Sequence, residues 1–115
     1  MNGMIAMTNL FAADEYDAAA EICTILHEDA CVRIEKIVSY GHITPPEREY
    51  CQQEDEWVSV LLGQGTVCFT ESGASHSLAP GDHLLIPAGV RHRVTHTTKP
   101  CVWLCVFSKK GDSHA

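Results

Sequence analysis

Gly81-Asp-His-Leu-Leu-Ile-Pro87-Ala-Gly89-Val-Arg-His92 is the stretch whose reading decides the fold. Ala79-Pro-Gly-Asp82 is a turn, His83-Leu-Leu-Ile86 a four-residue apolar strand, and Pro87-Ala-Gly89 a second turn. Arg91 to Thr97 then alternates. A regular strand places His92, Val94 and His96 on one side and Arg93 and Thr95 on the other. Lys99-Pro100 ends it, because proline cannot donate to a ladder. Cys101-Val-Trp-Leu-Cys-Val-Phe107 is apolar at every position, the pattern of a strand covered on both faces.

The same texture extends toward the N-terminus. Trp57-Val-Ser-Val-Leu-Leu62 and Thr66-Val-Cys-Phe-Thr70 flank Gly63-Gln-Gly65, which predicts a hairpin with a short turn. Ser75-His-Ser-Leu78 follows the turn at Glu71-Ser-Gly-Ala74. Ile22-Cys-Thr-Ile-Leu26 and Cys31-Val-Arg-Ile-Glu-Lys-Ile-Val38 read as two more strands, and Gly41 and Pro45-Pro46 stop the second. About eight short strands separated by turns predict an all-β sandwich or barrel. The expected organisation is an N-terminal arm over 1–20, loose or a short helix, a barrel over 21–108 and a polar tail over 109–115. There is no internal repeat and no low-complexity segment.

Composition narrows the function. A chain of 115 residues is one domain, long enough to bury its own core. A net charge of −7, with eight scattered Lys and Arg and no basic run, excludes the cationic face a nucleic acid requires and disfavours anionic membrane surfaces. No apolar run approaches the ~20 residues of a membrane helix, and Met1 to Met7 has neither a charged nor a long apolar signal region. The expected location is the cytoplasm.

Two stretches carry a family resemblance. Gly81 to His92, a glycine, five residues and then Pro87-x-Gly89-x-x-His92, resembles the second cupin motif. The motif's closing asparagine is replaced by His96. Glu56-Trp-Val-Ser-Val-Leu-Leu-Gly63 resembles the end of the first cupin motif. Similarity spans roughly residues 31–107. The resemblance implies a jelly-roll-like β-barrel with one internal pocket. In metal-binding cupins it also implies a divalent ion held by two histidines, a glutamate and the second-motif histidine. Here the two histidine positions fall on Tyr50 and Gln52, or on Glu49 and Cys51 with the longer spacing. The stretch from Gly41 to Trp57 is also similar to a branch of small bacterial cupins in which Gln or Asp replaces those histidines.

The residues support the same site independently. Tyr50, Gln52, Glu54 and Glu56 share strand parity, as do His92 and His96, so a barrel lined by both segments brings carboxylates, an amide and imidazoles together. Glu56, His92, Gln52 and His96 are therefore the candidate metal ligands, for Zn, Fe, Mn or Ni. A glutamine amide is a poor ligand for such ions. Each residue has a plainer reading: Glu56 a solvated charge at a strand start, His92 a core histidine bonded to Glu56, His96 a packing residue. Arg91 and Arg93 flank His92 at the expected pocket mouth; their default reading is a solvated surface role, and the alternative is that one of them attracts an anionic ligand. Two functions stay open: a pocket for a divalent metal with a small organic ligand, and a metal-free ligand-binding or regulatory barrel.

Six cysteines and no CxxC pair suggest free thiols rather than disulfides or structural zinc. Cys101 and Cys105, four apart on one strand, lie roughly 13 Å from each other, beyond the ~7 Å a disulfide spans. Cys51, in a polar segment, is either a reactive thiol or a plain exposed one. Trp57 and Leu61 take the outward parity if Glu56, Val58 and Val60 point in, and the last strand is apolar on both faces. Some cover must come from outside the wall. The segment around Leu10 and Phe11 would supply it within one chain; a homodimer would supply it from a second.

Overall fold

The computed structural model describes residues 3–12 and 16–109. Eight strands follow in order: β1 Ile22–Glu28, β2 Val32–Ser39, β3 Asp55–Leu62, β4 Gly65–Phe69, β5 Ser75–Leu78, β6 His83–Ile86, β7 His92–Thr97 and β8 Cys101–Ser108. They form two antiparallel sheets, one of five strands in the order β1-β2-β8-β3-β6 and one of three in the order β5-β4-β7. The architecture is all-β and jelly-roll-like. The two ladders remain separate sheets rather than closing into one continuous hydrogen-bonded barrel.

The apolar run at the C-terminus becomes β8, hydrogen-bonded to β2 on one side and β3 on the other. Its two faces separate cleanly. Cys101, Trp103, Cys105 and Phe107, each no more than 5% exposed, join Val58, Val60, Val67, Leu78 and Ile86 in the core between the sheets. Val102, Leu104 and Val106 take the opposite, outer face, in register with Val38, Lys36 and Ile34 of β2. Trp57 pairs with Val106 and Leu85 on that same outer face. The expected parity of β3, with Glu56, Val58 and Val60 inward, holds: all three are buried.

Two local expectations are corrected, and a third, left open between two alternatives, is narrowed. Gly63-Gln-Gly65 joins no hairpin: β3 belongs to the large sheet and β4 to the small one. The segment is a corner between sheets, and its glycines are required there. Gly63 has φ +73°, and a Cβ on it would lie 2.2 Å from the Pro100 carbonyl oxygen; one on Gly65 would lie 2.2 Å from the Trp103 ring. In β7 the register shifts, with Thr66 opposite His96 but Val67 opposite Val94. The bulge reverses the alternation past Val94, so His96 is exposed and Thr97 is buried instead. Third, the described part of the arm contains no helix. Asn9 to Ala12 makes a turn, with Ala12 N–H donating to the Asn9 carbonyl at 3.2 Å. Phe11 is 56% exposed and Met4, Ile5 and Met7 are more so.

Lys109, the first residue of the expected polar tail, is tied down by its backbone N–H to the Cys31 carbonyl at 2.8 Å. The rest of that tail, with His114, lies outside the described residues. Among the described residues no helix is long and apolar enough to cross a membrane.

Candidate functional site

The segment between β2 and β3 has no regular strand, yet it runs along the free edge of β7. Thr44 N–H donates to the Val94 carbonyl at 2.8 Å, Tyr50 and His92 exchange backbone bonds of 2.8 and 3.0 Å, and Gly89 N–H donates to the Gln52 carbonyl at 2.7 Å. These bonds carry Tyr50 and Gln52 to the gap between the sheets. Glu56 arrives there from β3 and His92 from the start of β7.

The four groups meet at the wall of an interior cavity of about 260 Å³. Glu56 is 8% and His92 4% exposed. The Glu56 Oε1 accepts a hydrogen bond from the Gln52 amide at 3.0 Å and lies 3.6 Å from His92 Nε2. The Cys105 thiol lines the same cavity, and after burial the Glu56 carboxylate is among the groups that raise its pKa. On its other side, His92 Nδ1 is 3.0 Å from the Val90 carbonyl. A carbonyl only accepts, so Nδ1 carries a proton and Nε2 is the nitrogen that faces Glu56. The Tyr50 ring stacks on the imidazole, centroids 5.5 Å apart.

Burial pulls the His92 imidazole down, but the adjacent Glu56 carboxylate and the Val90 carbonyl outweigh it, and the net shift is upward from the ordinary value. Burial, with the charges of Glu56 and Glu35 behind it, pushes the Cys105 thiol well up and keeps it neutral. The pair Glu56 and His92 can therefore hold and exchange a proton at a buried surface that opens onto free volume.

Of the four expected ligands, Glu56, His92 and Gln52 are brought together and His96 is not; the bulge in β7 turns it to solvent. Glu54, which shares parity with them, turns instead to Arg33, accepting a bidentate pair at 2.9 and 3.0 Å. Neither Arg91 nor Arg93 lines the cavity. Arg91 pairs with Glu71 at 3.1 Å and Glu49 at 3.6 Å, and Arg93 donates to the Pro45 carbonyl at 3.3 Å. Both arginines thus take the surface role, and neither is placed to meet an anion in the cavity.

Sequence reasoning missed Glu21, Arg33 and Glu35, which line the cavity. The sequence shows only that Arg33, Glu35 and Ile37 share one parity; their pairing with Phe107, Cys105 and Trp103 of β8 is what turns that face inward. Cys51 is exposed, its thiol 3.7 Å from the Gly89 carbonyl, and all six cysteines are free.

Among the described residues no group of three His, Cys, Asp or Glu side chains converges as metal ligands. Glu56 and His92 alone offer two donors, and Gln52 turns its amide N–H toward the carboxylate. That is short of the three or four protein ligands a zinc site uses, so the residues present do not fit a transition ion.

Comparison with known proteins agrees with this architecture. The Cupin domain family matches residues 34–107. A Ralstonia eutropha JMP134 protein, provisionally named mannose-6-phosphate isomerase, is 37% identical, with a TM-score of 0.85 over 92% of this chain and 100% of that one. A cupin superfamily protein of Desulfitobacterium hafniense DCB-2 is 18% identical, with a TM-score of 0.71 over 84% of each chain. A Methanocaldococcus jannaschii cupin with a double-stranded β-helix fold is 19% identical, with a TM-score of 0.68 over 92% of this chain and 93% of that one. The last two likenesses speak to the fold alone. No curated protein matches. The motif from Gly81 to His92, the two facing sheets and the family match over most of the chain agree: this chain belongs to the cupin family.

Proposed function

We propose that this cupin is a metal-free binding module whose interior cavity holds one small polar organic molecule against the Glu56–His92 pair. The observation that carries the reading is the convergence of a buried carboxylate, imidazole, amide and thiol on free volume rather than on packed side chains. Buried polar groups are normally satisfied within the protein; here they share partners and still face a cavity. A volume of about 260 Å³ suits a small metabolite.

The Ralstonia relative's name points to a phosphorylated sugar. The side chains here do not favour one. A phosphate calls for Arg or Lys donors free to meet it, and Arg33, the arginine of the lining, already gives its donors to Glu35 and Glu54. Six free thiols support placement in the reducing cytoplasm.

Elemental analysis of protein purified without an affinity tag or chelator tests this reading. We expect Zn, Fe, Mn and Ni all far below one ion per chain, and micromolar zinc to be lost on dialysis. A stoichiometric ion that disappears in Glu56→Gln and His92→Gln would overturn the metal-free reading in favour of a metal-dependent cupin.

A further inference from the structure

The cavity wall is electrically lopsided. It holds three carboxylates, Glu21, Glu35 and Glu56, against one guanidinium, Arg33, and one imidazole, His92. Each nitrogen of Arg33 is committed: Nε donates to Glu35 at 2.6 Å, the two terminal nitrogens donate to Glu54 at 2.9 and 3.0 Å, and the guanidinium carbon lies 4.2 Å from the Phe107 ring centroid. Glu21 accepts from the Ser39 hydroxyl at 3.1 Å and has no ion-pair partner among the described residues. Glu56 meets a neutral amide at 3.0 Å and an imidazole at 3.6 Å.

Three weak acids on the wall register the same sign of potential. Burial first, then Glu21 and Glu35, pushes the Cys23 thiol up to about 11. Burial, with Glu21 and Glu56, raises Tyr50; burial, with Glu56 and Glu35, raises Cys105. All three stay neutral and leave the carboxylates as the dominant charge. Three aromatic rings, Tyr50, Trp103 and Phe107, line the same space beside aliphatic side chains of β2, β3, β4, β6 and β7. Ring faces attract cations, and Phe107 does so here with Arg33.

Resting on the reading of this cavity as the ligand site, we propose that its ligand is a small organic cation of the ammonium type, its charge met by Glu21 and Glu56 and its carbon skeleton by Tyr50 and Trp103. An anionic ligand would face the carboxylates with no uncommitted guanidinium or ammonium to receive it.

A charge series of equal size tests this: n-butylammonium, 1-butanol and butyrate, with inorganic phosphate beside them, each titrated into the full chain. The Trp103 indole N–H resonance reports from the cavity. We expect n-butylammonium to bind at least roughly tenfold tighter than 1-butanol, what remains of the ~1,000-fold effect of one charge 4 Å away at an effective dielectric of about 20 once the ammonium has given up its hydration. Butyrate and phosphate should leave Trp103 unmoved. Glu21→Gln, which keeps an acceptor for Ser39, should weaken n-butylammonium about tenfold and leave 1-butanol unchanged. The wild-type series decides the matter even if that variant fails to fold. Equal or tighter binding of 1-butanol, butyrate or phosphate would overturn the cation and leave the cavity as the site. Silence of Trp103 toward all four would remove the cavity reading as well.

Discussion

Two concavities invite a ligand in this molecule, and the larger is the poorer site. An open groove of about 490 Å³ lies between the edge strands β5 and β6, bordered by His76, Asp82 and His83. Its polar groups are exposed and locally occupied: Asp82 accepts from the Ala79 N–H at 2.8 Å, and His83 accepts from the Trp57 indole at 3.2 Å. The interior cavity is about 260 Å³, yet at its centre Glu56 and His92 are buried, face each other at 3.6 Å and are held by elements of two sheets. Volume and histidine count do not make a site. What distinguishes the cavity is that desolvated polar groups converge there on space no side chain fills, whereas the groove offers solvated groups with nothing to gain from a ligand.

Substitutions of one kind in the two places should separate them. Trp103→Ala removes a 4% exposed wall of the cavity and should cost about 3–5 kcal/mol in urea unfolding. Leu85→Ala, at a groove position 58% exposed, should cost no more than about 0.5 kcal/mol. Comparable losses at both would erase the contrast. Next, Glu56→Ala takes the acceptor from the Gln52 amide and the carboxylate from the buried His92 imidazole and should cost about 1–3 kcal/mol, against about 0.5 kcal/mol or less for His76→Ala.

The pH dependence sharpens the same pair. The folded imidazole of His92 sits above the ordinary value of 6.5, so the protonated form binds its proton more tightly folded than unfolded. Its contribution to stability is then fully present below about pH 6.5 and is lost as pH rises through the raised folded value. Stability measured from pH 6 to 9 should fall across that interval, and His92→Gln should remove that component. A slope of opposite sign attributable to His92 would show that burial, not Glu56, dominates the imidazole.

Much of this was legible in the sequence, for reasons tied to particular residues. Pro87-x-Gly89-x-x-His92 fixes a turn that delivers His92 to the start of β7, and the unbroken apolar pattern of Cys101 to Phe107 marks the central strand. Glu56 was legible through its place in the motif, seven residues before Gly63 and at the head of an apolar strand. His96 was not, because a one-residue bulge leaves no mark in an alternating pattern and reverses every side chain beyond it. The corner at Gly63 was not, because two apolar runs about a tight turn look the same whether they pair or part into different sheets. Arg33 and Glu35 were not, because charges alternating with isoleucine suggest a solvated face, and only the register with β8 shows that this face turns inward.

Smaller effects remain. Alkylation of unfolded, unreduced protein should count six thiols. In the folded protein, exposed Cys31 and Cys51 should react first and buried Cys101, pushed up to about 12, and Cys105 last. The outer face of the large sheet, with Trp57, Leu104, Val106 and the exposed Leu85, is where we expect a second copy of the chain. Sedimentation near micromolar concentration should give twice the chain mass. A one-chain species that does not associate on concentrating would contradict the homodimer.

The molecule carries its own pair of reporters for the central claim. The Trp103 indole lines the cavity and donates to the Ser39 hydroxyl at 3.2 Å; the Trp57 indole donates to His83 at the border of the groove. Nitrogen-15 spectra of the two indoles, recorded across a set of small polar fragments, decide between the two places. The account predicts that binding fragments move Trp103 and leave Trp57 in place, and that Glu56→Gln weakens the response. Fragments that move Trp57 while Trp103 stays fixed would contradict it and put the site in the groove.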